Sequence, residues 1–152
     1  YMYGLANDPK ESQIPGEPVP VAVADFEVER LLTNLLDNAA LHGAAPYAVT
    51  VDRPDPGWAR LMVGDAGPGL APELLDTATR RFVRSEEARS RPGSGLGLAL
   101  VQAIVAQAGG ELRLCHEAHH ASHGGRAPVA CTHGPEMTLS ILLPTGAVAA
   151  PE

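Results

Sequence analysis

Residues 34–42 read NLLDNAALH and lie in the second half of a predicted amphipathic helix. That helix extends from Phe26 to His42, because leucine and alanine recur along it at helical spacing. Asp25 is a favourable N-cap residue directly before it, and Gly43 ends it. The segment therefore predicts a helix with one apolar face turned toward a core.

The polar face of this helix has an unusual composition. Asn34, Asn38 and His42 follow at intervals of four residues, so they line one side of the helix. Asparagine is unfavourable inside helices because its side chain competes for backbone hydrogen bonds. The stripe is either a solvated surface or a ligand site, and an amide oxygen is a suitable ligand for Mg²⁺ beside phosphates.

Length and composition narrow the class of protein. The chain has 152 residues, 45% apolar and 19% charged, which fits one globular domain. A net charge of −7 argues against a binder that tracks nucleic-acid phosphates, and no apolar run is long enough to cross a bilayer. Cys115 and Cys131 are too few for a disulfide framework and suit a reducing cytoplasm, although their pairing stays open. Lys10 is the only lysine, so arginine, histidine or backbone amides would meet a phosphate.

The remaining elements follow from turn signals and periodicity. Further helices are predicted over Pro72–Thr79 and Gly97–Ala108, and strands over Tyr47–Asp52, Trp58–Gly64, Glu111–His116 and Met137–Leu143, with a short edge strand over Val19–Val23. Strands joined by tight turns pair antiparallel, and such helices would cover one face of their sheet. The pattern predicts a two-layer α/β sandwich.

The segments outside these elements divide the chain. Residues 1–18 are expected to be a linker, residues 19–145 the folded domain and residues 146–152 a disordered tail. Within the domain, residues 66–96 are rich in glycine, proline and charge, which is typical of a mobile lid or binding loop. Residues 115–134 form a His-rich hairpin, for which a solvated, disordered loop is the default interpretation.

Asp65-Ala66-Gly67-Pro68-Gly69 directly follows a predicted strand. A carboxylate at a strand end can accept a hydrogen bond from an exocyclic amine such as that of adenine. The glycines let the backbone turn sharply and approach a flat ring. Alone, the pattern also fits an ordinary turn.

Gly93-Ser94-Gly95-Leu96-Gly97-Leu98 opens a predicted helix. Successive glycine amides and a helix N-terminus favour a phosphate tail, although a hinge would have the same composition. The motif is neither a dinucleotide fingerprint nor a P-loop, since it lacks the required final glycine and the Lys-Ser/Thr pair.

An aromatic residue flanked by arginines lies between these two motifs. Phe82 in the predicted lid could anchor it to the body of the domain, and Arg84 and Arg91 could reach a γ-phosphate as bidentate donors. A solvated basic segment is the alternative.

Taken in order, these motifs resemble the catalytic domain of sensor histidine kinases, within the gyrase, Hsp90, histidine kinase and MutL ATPase superfamily. Asn34–His42 looks like the N box and Asp65–Gly69, with Leu70, like the G1 box. Phe82 looks like the F box, Gly93–Leu98 the G2 box, and Thr138 a remnant of the G3 box. The resemblance covers about residues 25–144.

The resemblance implies a Bergerat fold with a mixed, mostly antiparallel sheet and an ATP lid. It implies that Asn38 holds Mg²⁺, that Asp65 binds the adenine amine, and that amides around Gly95 and Gly97 hold the phosphates of ATP. It also implies a histidine acceptor on a separate dimerisation domain and a response regulator as partners. The domain would be monomeric and cytoplasmic, and the full-length kinase a membrane-bound homodimer.

The residue type at Asn34 indicates which kind of side chain accepts the phosphoryl group. Superfamily ATPases and kinases resembling anti-sigma factors usually have a glutamate base at this position. An amide cannot take a proton from water or serine, whereas a histidine acceptor is already a nucleophile. The resemblance therefore points to histidine kinases.

Three departures from the family pattern leave alternatives open. The chain has no phosphoacceptor box, so it should not autophosphorylate alone. Leu41 stands where many relatives have a basic residue, and Glu136 and Met137 replace the glycine-containing start of the G3 box. A degenerate nucleotide-binding regulatory module and an anti-sigma-factor-like serine kinase are the alternatives.

The histidines after Cys115 form a second candidate site. His116-Glu117-Ala118-His119-His120 fits the zinc protease pattern, but that chemistry needs both histidines on one helix face, and here the motif follows a strand. Binding of Zn²⁺, Cu²⁺ or Ni²⁺ is the stronger interpretation. It is predicted for His116, His119, His120 and His123.

Overall fold

A five-stranded sheet forms one layer of the domain. The computed structural model describes Val19, residues 21–79 and residues 97–145. Its strands are β1 (Ala48–Asp55), β2 (Trp58–Asp65), β3 (Glu111–His116), β4 (His119–Gly124) and β5 (Met137–Pro144). Their spatial order is β1-β2-β5-β3-β4, and every pairing between them is antiparallel. The last strand in the chain therefore lies at the centre of the sheet.

Among the residues that the structure describes, three helices cover one face of this sheet: α1 (Asp25–His42), α2 (Pro72–Thr77) and α3 (Gly97–Gln107). Leu31 and Leu35 of α1 and Val101 and Val105 of α3 are fully buried between the helices and the sheet. The two-layer α/β sandwich expected from the sequence is confirmed.

The ends of the two long helices follow local chemistry. Ala24, not Asp25, is the N-cap of α1, and its backbone N–H donates to Glu27 Oε1 at 3.4 Å. At the end of α3, Gly109 N–H donates to the carbonyl of Ala106 and Gly110 N–H to that of Val105, with Gly109 at φ +80°. This pair of bonds is a Schellman motif, and it turns the chain directly into β3.

Two expectations about the sheet need correction. Val19–Val23 is not a strand in the part of the chain that the structure describes; one hydrogen bond from Ala22 N–H to the carbonyl of Pro144, 3.2 Å long, ties it to β5. The pairings among described strands are all antiparallel, where a mixed sheet was expected.

The His-rich hairpin is ordered where a disordered loop was expected. Residues 119–124 pair with β3 as strand β4, and the segment that follows, residues 125–134, crosses the sheet face opposite the helices. We call this segment the outer cover. Ala127 N–H donates to Glu111 Oε1 at 2.7 Å, and Arg60 Nη1 donates to Thr132 Oγ1 at 3.0 Å. Leu142, which alternates away from the helix face of β5, is fully buried under it.

Candidate functional site

A buried carboxylate lies where β2 ends. Asp65 is 4% exposed, and its Oδ1 accepts hydrogen bonds from Gly67 N–H at 2.7 Å and from Ala44 N–H at 3.4 Å. Among the residues that the structure describes, Oδ2 has no hydrogen-bond partner. One oxygen is thus fixed by the backbone, and the other can accept a hydrogen bond from a ligand.

Two glycines allow the backbone to close around this carboxylate. A Cβ at Gly43 would lie 2.3 Å from Asp65 Oδ1, and a Cβ at Gly67 would lie 2.7 Å from the Cα of Gly43. Such distances are far shorter than real contacts, so neither position accepts a side chain without displacement. The end of α1 and the loop after β2 are therefore in direct backbone contact at Asp65.

The next part of this loop lies against β3. Gly69 has φ +73°, and a Cβ on it would lie 2.3 Å from His116 Nε2. The imidazole of His116 therefore packs on the glycine loop, a contact that sequence reasoning missed. Leu70 follows as a partly buried residue packed against the core.

The polar stripe of α1 leads from the helix end near Asp65 toward the start of α3. Asn34 Nδ2 donates to the carbonyl of Arg30 at 2.8 Å, and its Oδ1 lies 3.0 Å from where a Cβ of Gly97 would be. Asn38 is half-buried and forms no side-chain hydrogen bond with any residue described by the structure. His42 is the last residue of the helix. At the helical rise, Asn34 and His42 are about 12 Å apart.

The start of α3 provides a helix N-terminus next to this stripe. Gly97 is its first residue, and Leu98 packs against the core. The other residues predicted for this region lie outside the described residues: Phe82, Arg84, Arg91, Gly93, Ser94, Gly95 and Leu96.

Thr138 is not brought together with Asp65. In the pairing of β2 with β5, Asp65 is opposite Met137, and Thr138 is opposite Gly64. Side chains alternate along a strand, so Met137 shares the face of Asp65 and Thr138 lies on the other face. There the Thr138 hydroxyl donates to the carbonyl of Glu136 at 3.2 Å. Strand register, which the sequence does not show, decides which residue faces the carboxylate.

The four histidines predicted as metal ligands do not form one site, because His120 lies on the opposite face of the sheet from His116, His119 and His123. Alternation along β4 places His119 and His123 on the helix face and His120 on the opposite face. His123 Nε2 donates to the carbonyl of Leu75 at 3.0 Å, which packs β4 on α2. Because the motif forms a turn at Glu117, with φ +57°, the helical zinc protease arrangement is absent.

His120 instead lies beside both cysteines. Its Nδ1 is 3.4 Å from Cys115 Sγ and 3.4 Å from Cys131 Sγ. Burial, together with the neighbouring Cys131, raises the pKa of the Cys115 thiol to about 12.

The fold and the arrangement around Asp65 and α1 define a class of ATP-binding domain. Residues 25–145 match the family described as histidine kinase-, DNA gyrase B-, and HSP90-like ATPase. The chain belongs to this family. Within it, the chain is the catalytic and ATP-binding domain of a sensor histidine kinase, as its relatives indicate.

Mycobacterial kinases are among these relatives. The chain is 45% identical over 89 residues to the signal transduction histidine-protein kinase/phosphatase MprB of Mycobacterium avium (strain 104), covering 57% of this chain and 17% of that protein. It is 43% identical over 90 residues to the sensor histidine kinase component HK1 of Mycobacterium tuberculosis (strain ATCC 25618 / H37Rv), covering 59% of this chain and 53% of that one. The solved structure of mycobacterial sensor histidine kinase MprB superimposes with a TM-score of 0.63 at 35% identity, over 82% of this chain and 76% of that chain.

The chain thus spans only part of these curated relatives, about a sixth of the first and half of the second. Among the helices that the structure describes, none has the length and apolarity needed to cross a membrane.

Proposed function

We propose that this domain binds Mg-ATP and transfers the γ-phosphoryl group to a histidine on a separate dimerisation domain, from which it passes to an aspartate of a response regulator. The observation that carries the proposal is the arrangement of polar groups along α1. The buried Asp65 carboxylate lies at one end of the stripe, and Asn34 meets the N-terminus of α3 at the other.

The Asp65 end suits an adenine base. Oδ1 is held by the amides of Gly67 and Ala44, which fixes the direction of the carboxylate. Oδ2 can then accept a hydrogen bond from the exocyclic amine. Because the carboxylate is buried, an acceptor left without a donor there is unfavourable by about 1–3 kcal/mol, and a ligand amine removes this cost.

The other end suits the phosphates. The amides and dipole at a helix N-terminus such as that of α3 favour anions. Asn38 lies on α1 one turn from Asn34 and has no described partner, so its amide oxygen fits a Mg²⁺ ligand. Bound there, Mg²⁺ would neutralise phosphate charge, which is the main requirement of phosphoryl transfer.

Asn34 supports a histidine acceptor. Its Nδ2 is engaged by the carbonyl of Arg30 and its oxygen packs on Gly97, so it positions α3 and offers no base. Attack by serine or water needs a proton acceptor, whereas an imidazole nitrogen attacks the γ-phosphorus with its own lone pair. A nitrogen–phosphorus bond then forms as the bond to ADP breaks.

Calorimetric titration of the chain with a non-hydrolysable ATP analogue and Mg²⁺ tests the pocket. We expect binding in the micromolar to sub-millimolar range, weakened about 10- to 100-fold in Asp65→Asn, because a hydrogen bond to a charged group contributes about 1.5–3 kcal/mol. Asn38→Ala should weaken binding only when Mg²⁺ is present.

Asp55→Asn is the matched control. Asp55 Oδ1 accepts a hydrogen bond from Gly57 N–H at 2.9 Å, the same local contact that Asp65 forms with Gly67, but in the β1–β2 turn. This variant should bind like the unaltered chain. Equal losses in both variants, or no binding at millimolar nucleotide, would refute the pocket.

The transfer step is tested by mixing the domain with a phosphoacceptor domain from a related kinase and radiolabelled ATP. The expected product is acid-labile and alkali-stable, as phosphohistidine is. An acid-stable phosphoserine would instead support the anti-sigma-factor-like alternative.

A further inference from the structure

Four side chains that are potential metal ligands converge on the sheet face opposite the helices. Cys115, His120, Cys131 and His133 each contribute one ligand atom, and these atoms all lie within 4.8 Å of one another. None of the four takes part in the nucleotide pocket. We call them the Cys₂His₂ cluster.

The fold brings the cluster together from two places. Cys115 and His120 are directly opposite each other in the β3–β4 pairing, so their side chains share one face. Cys131 and His133 come from the outer cover, two residues apart, and Thr132 between them contacts Arg60 of β2. Side chains that are separated in the sequence therefore meet at one point.

Four of the six distances between ligand atoms are close to those around a tetrahedral zinc ion. Zn–S bonds of about 2.3 Å and Zn–N bonds of about 2.05 Å give S···S, S···N and N···N separations of about 3.8, 3.6 and 3.3 Å in an ideal tetrahedron. Here Cys115 Sγ and Cys131 Sγ are 3.6 Å apart, and His120 Nδ1 is 3.4 Å from each. His133 Nε2 is 3.1 Å from His120 Nδ1. Each of these four pairs needs to move by only a few tenths of an ångström, and the two remaining pairs, between His133 and the sulfurs, lie within 4.8 Å.

The orientation of His133 also suits a ligand. Its Nδ1 is 2.6 Å from the carbonyl of Gly134, and a carbonyl can only accept, so Nδ1 carries the proton. Nε2 then presents its lone pair toward the cluster. Metal-bound histidines commonly donate their second N–H to a backbone carbonyl in this way.

We propose that the Cys₂His₂ cluster binds one Zn²⁺ ion as a closed structural site that fastens the outer cover to β3 and β4. Two sulfur and two imidazole ligands in tetrahedral arrangement favour zinc over hard cations such as Mg²⁺. Four protein ligands leave no position for a substrate, which is typical of structural sites. The two thiols are free, and their 3.6 Å separation is much longer than the ~2.05 Å of a disulfide.

The test uses the reduced, metal-free chain without a polyhistidine tag. Titration with Zn²⁺ against a chromophoric chelator should give one tight site per chain, and Co²⁺ should give the intense visible bands of tetrahedral thiolate coordination. Cys131→Ser and His133→Gln should each lower zinc affinity by at least about 100-fold, because losing an outer-shell partner alone costs 10- to 100-fold.

His119→Gln is the matched control, since His119 belongs to the same hairpin but lies on its other face. It should bind zinc like the unaltered chain. Cys131 is exposed, so its variant should fold, which circular dichroism in chelator would verify.

Several results would overturn the proposal. These are no tight zinc binding by the reduced chain, equal loss in His119→Gln and Cys131→Ser, octahedral Co²⁺ spectra, or preference for Cu(I) with no tight Zn²⁺ site. Because the cluster lies across the sheet from α1, the zinc measurements can succeed or fail independently of nucleotide binding.

Discussion

At the scale of single residues, the contact among Gly43, Asp65 and Gly67 matters most. The backbone at the end of α1 contacts the backbone after β2 with no side chain between them. Oδ1 of Asp65 is held there by hydrogen bonds, and Oδ2 is left available to a ligand. These two glycines therefore fix the direction of the carboxylate on which the proposed nucleotide site depends.

Gly43→Ala should weaken nucleotide binding without preventing the chain from folding. Its Cβ would meet the Asp65 carboxylate at 2.3 Å, so the side chain must rotate away from its amide donors. We expect nucleotide affinity to fall at least about tenfold, the equivalent of 1.4 kcal/mol, while the chain still folds. Gly57→Ala, whose Cβ would have only an ordinary 3.6 Å contact, should change neither. Unchanged affinity in calorimetry of Gly43→Ala would contradict this role.

Glu111 should make stability depend on pH. It is buried, which raises its pKa, but hydrogen bonds from Arg113, the Ala127 amide and Ser122 outweigh burial, so its pKa lies below the ordinary 4.5. A lowered folded-state pKa stabilises the protein above pH 4.5, and this contribution is lost as the pH falls through the folded-state pKa.

Glu111→Gln should therefore lower the free energy of unfolding by about 1.5–3 kcal/mol at pH 7, with a difference that shrinks below pH 4.5. Urea denaturation of both proteins from pH 7 to pH 3 measures it. A difference that stays constant over this range would show that the charge of Glu111 does not stabilise the fold.

Some of the candidate site residues follow from the sequence pattern alone, and others depend on strand register. Asp65, Asn34 and Gly97 are predictable because helical spacing and strand ends constrain them. Thr138 and the ligating histidines depend on which face of a strand each residue occupies, and a one-residue change in register reverses that face. Met137 could be placed opposite Asp65 only from the pairing itself.

At the scale of elements, β4 is a strand that hydrophobic periodicity does not predict. The other strands and the helices lie within three residues of their predicted ends, because apolar patterns and turn signals mark them. β4 reads HHASHG, with only Ala121 buried in the core. Its stability comes from pairing with β3 and from polar contacts that a hydrophobic pattern does not reveal.

His123 should hold α2 on this strand. Its Nε2 donates to the carbonyl of Leu75, and its Nδ1 lies 3.3 Å from the hydroxyl of Thr79. We expect His123→Ala to lower the free energy of unfolding by about 0.5–1.5 kcal/mol and to speed amide exchange in α2. His119→Ala, exposed on the same face, is the control. Equal exchange in both variants would mean that α2 is held by Leu75 packing alone.

At the scale of the whole molecule, the central position of β5 sets the distribution of stability. Ile141 is fully buried in the middle of the sheet, whereas Val49 is half-buried on the edge strand β1. Ile141→Ala should cost about 2–5 kcal/mol of unfolding free energy, and Val49→Ala about 1 kcal/mol. Similar midpoints in urea for both variants would contradict this ordering.

The outer cover also determines which residues form the surface of the domain on the side opposite the helices. A two-layer sandwich would present a bare sheet on this face, but here the surface belongs to residues 125–134, most of which are exposed. Anchoring depends on a few contacts with Arg60, Glu111 and the Cys₂His₂ cluster. The intervening positions are exposed and lie across the sheet from Asp65, so substitutions there should change the chemistry of this surface without altering the residues around that carboxylate.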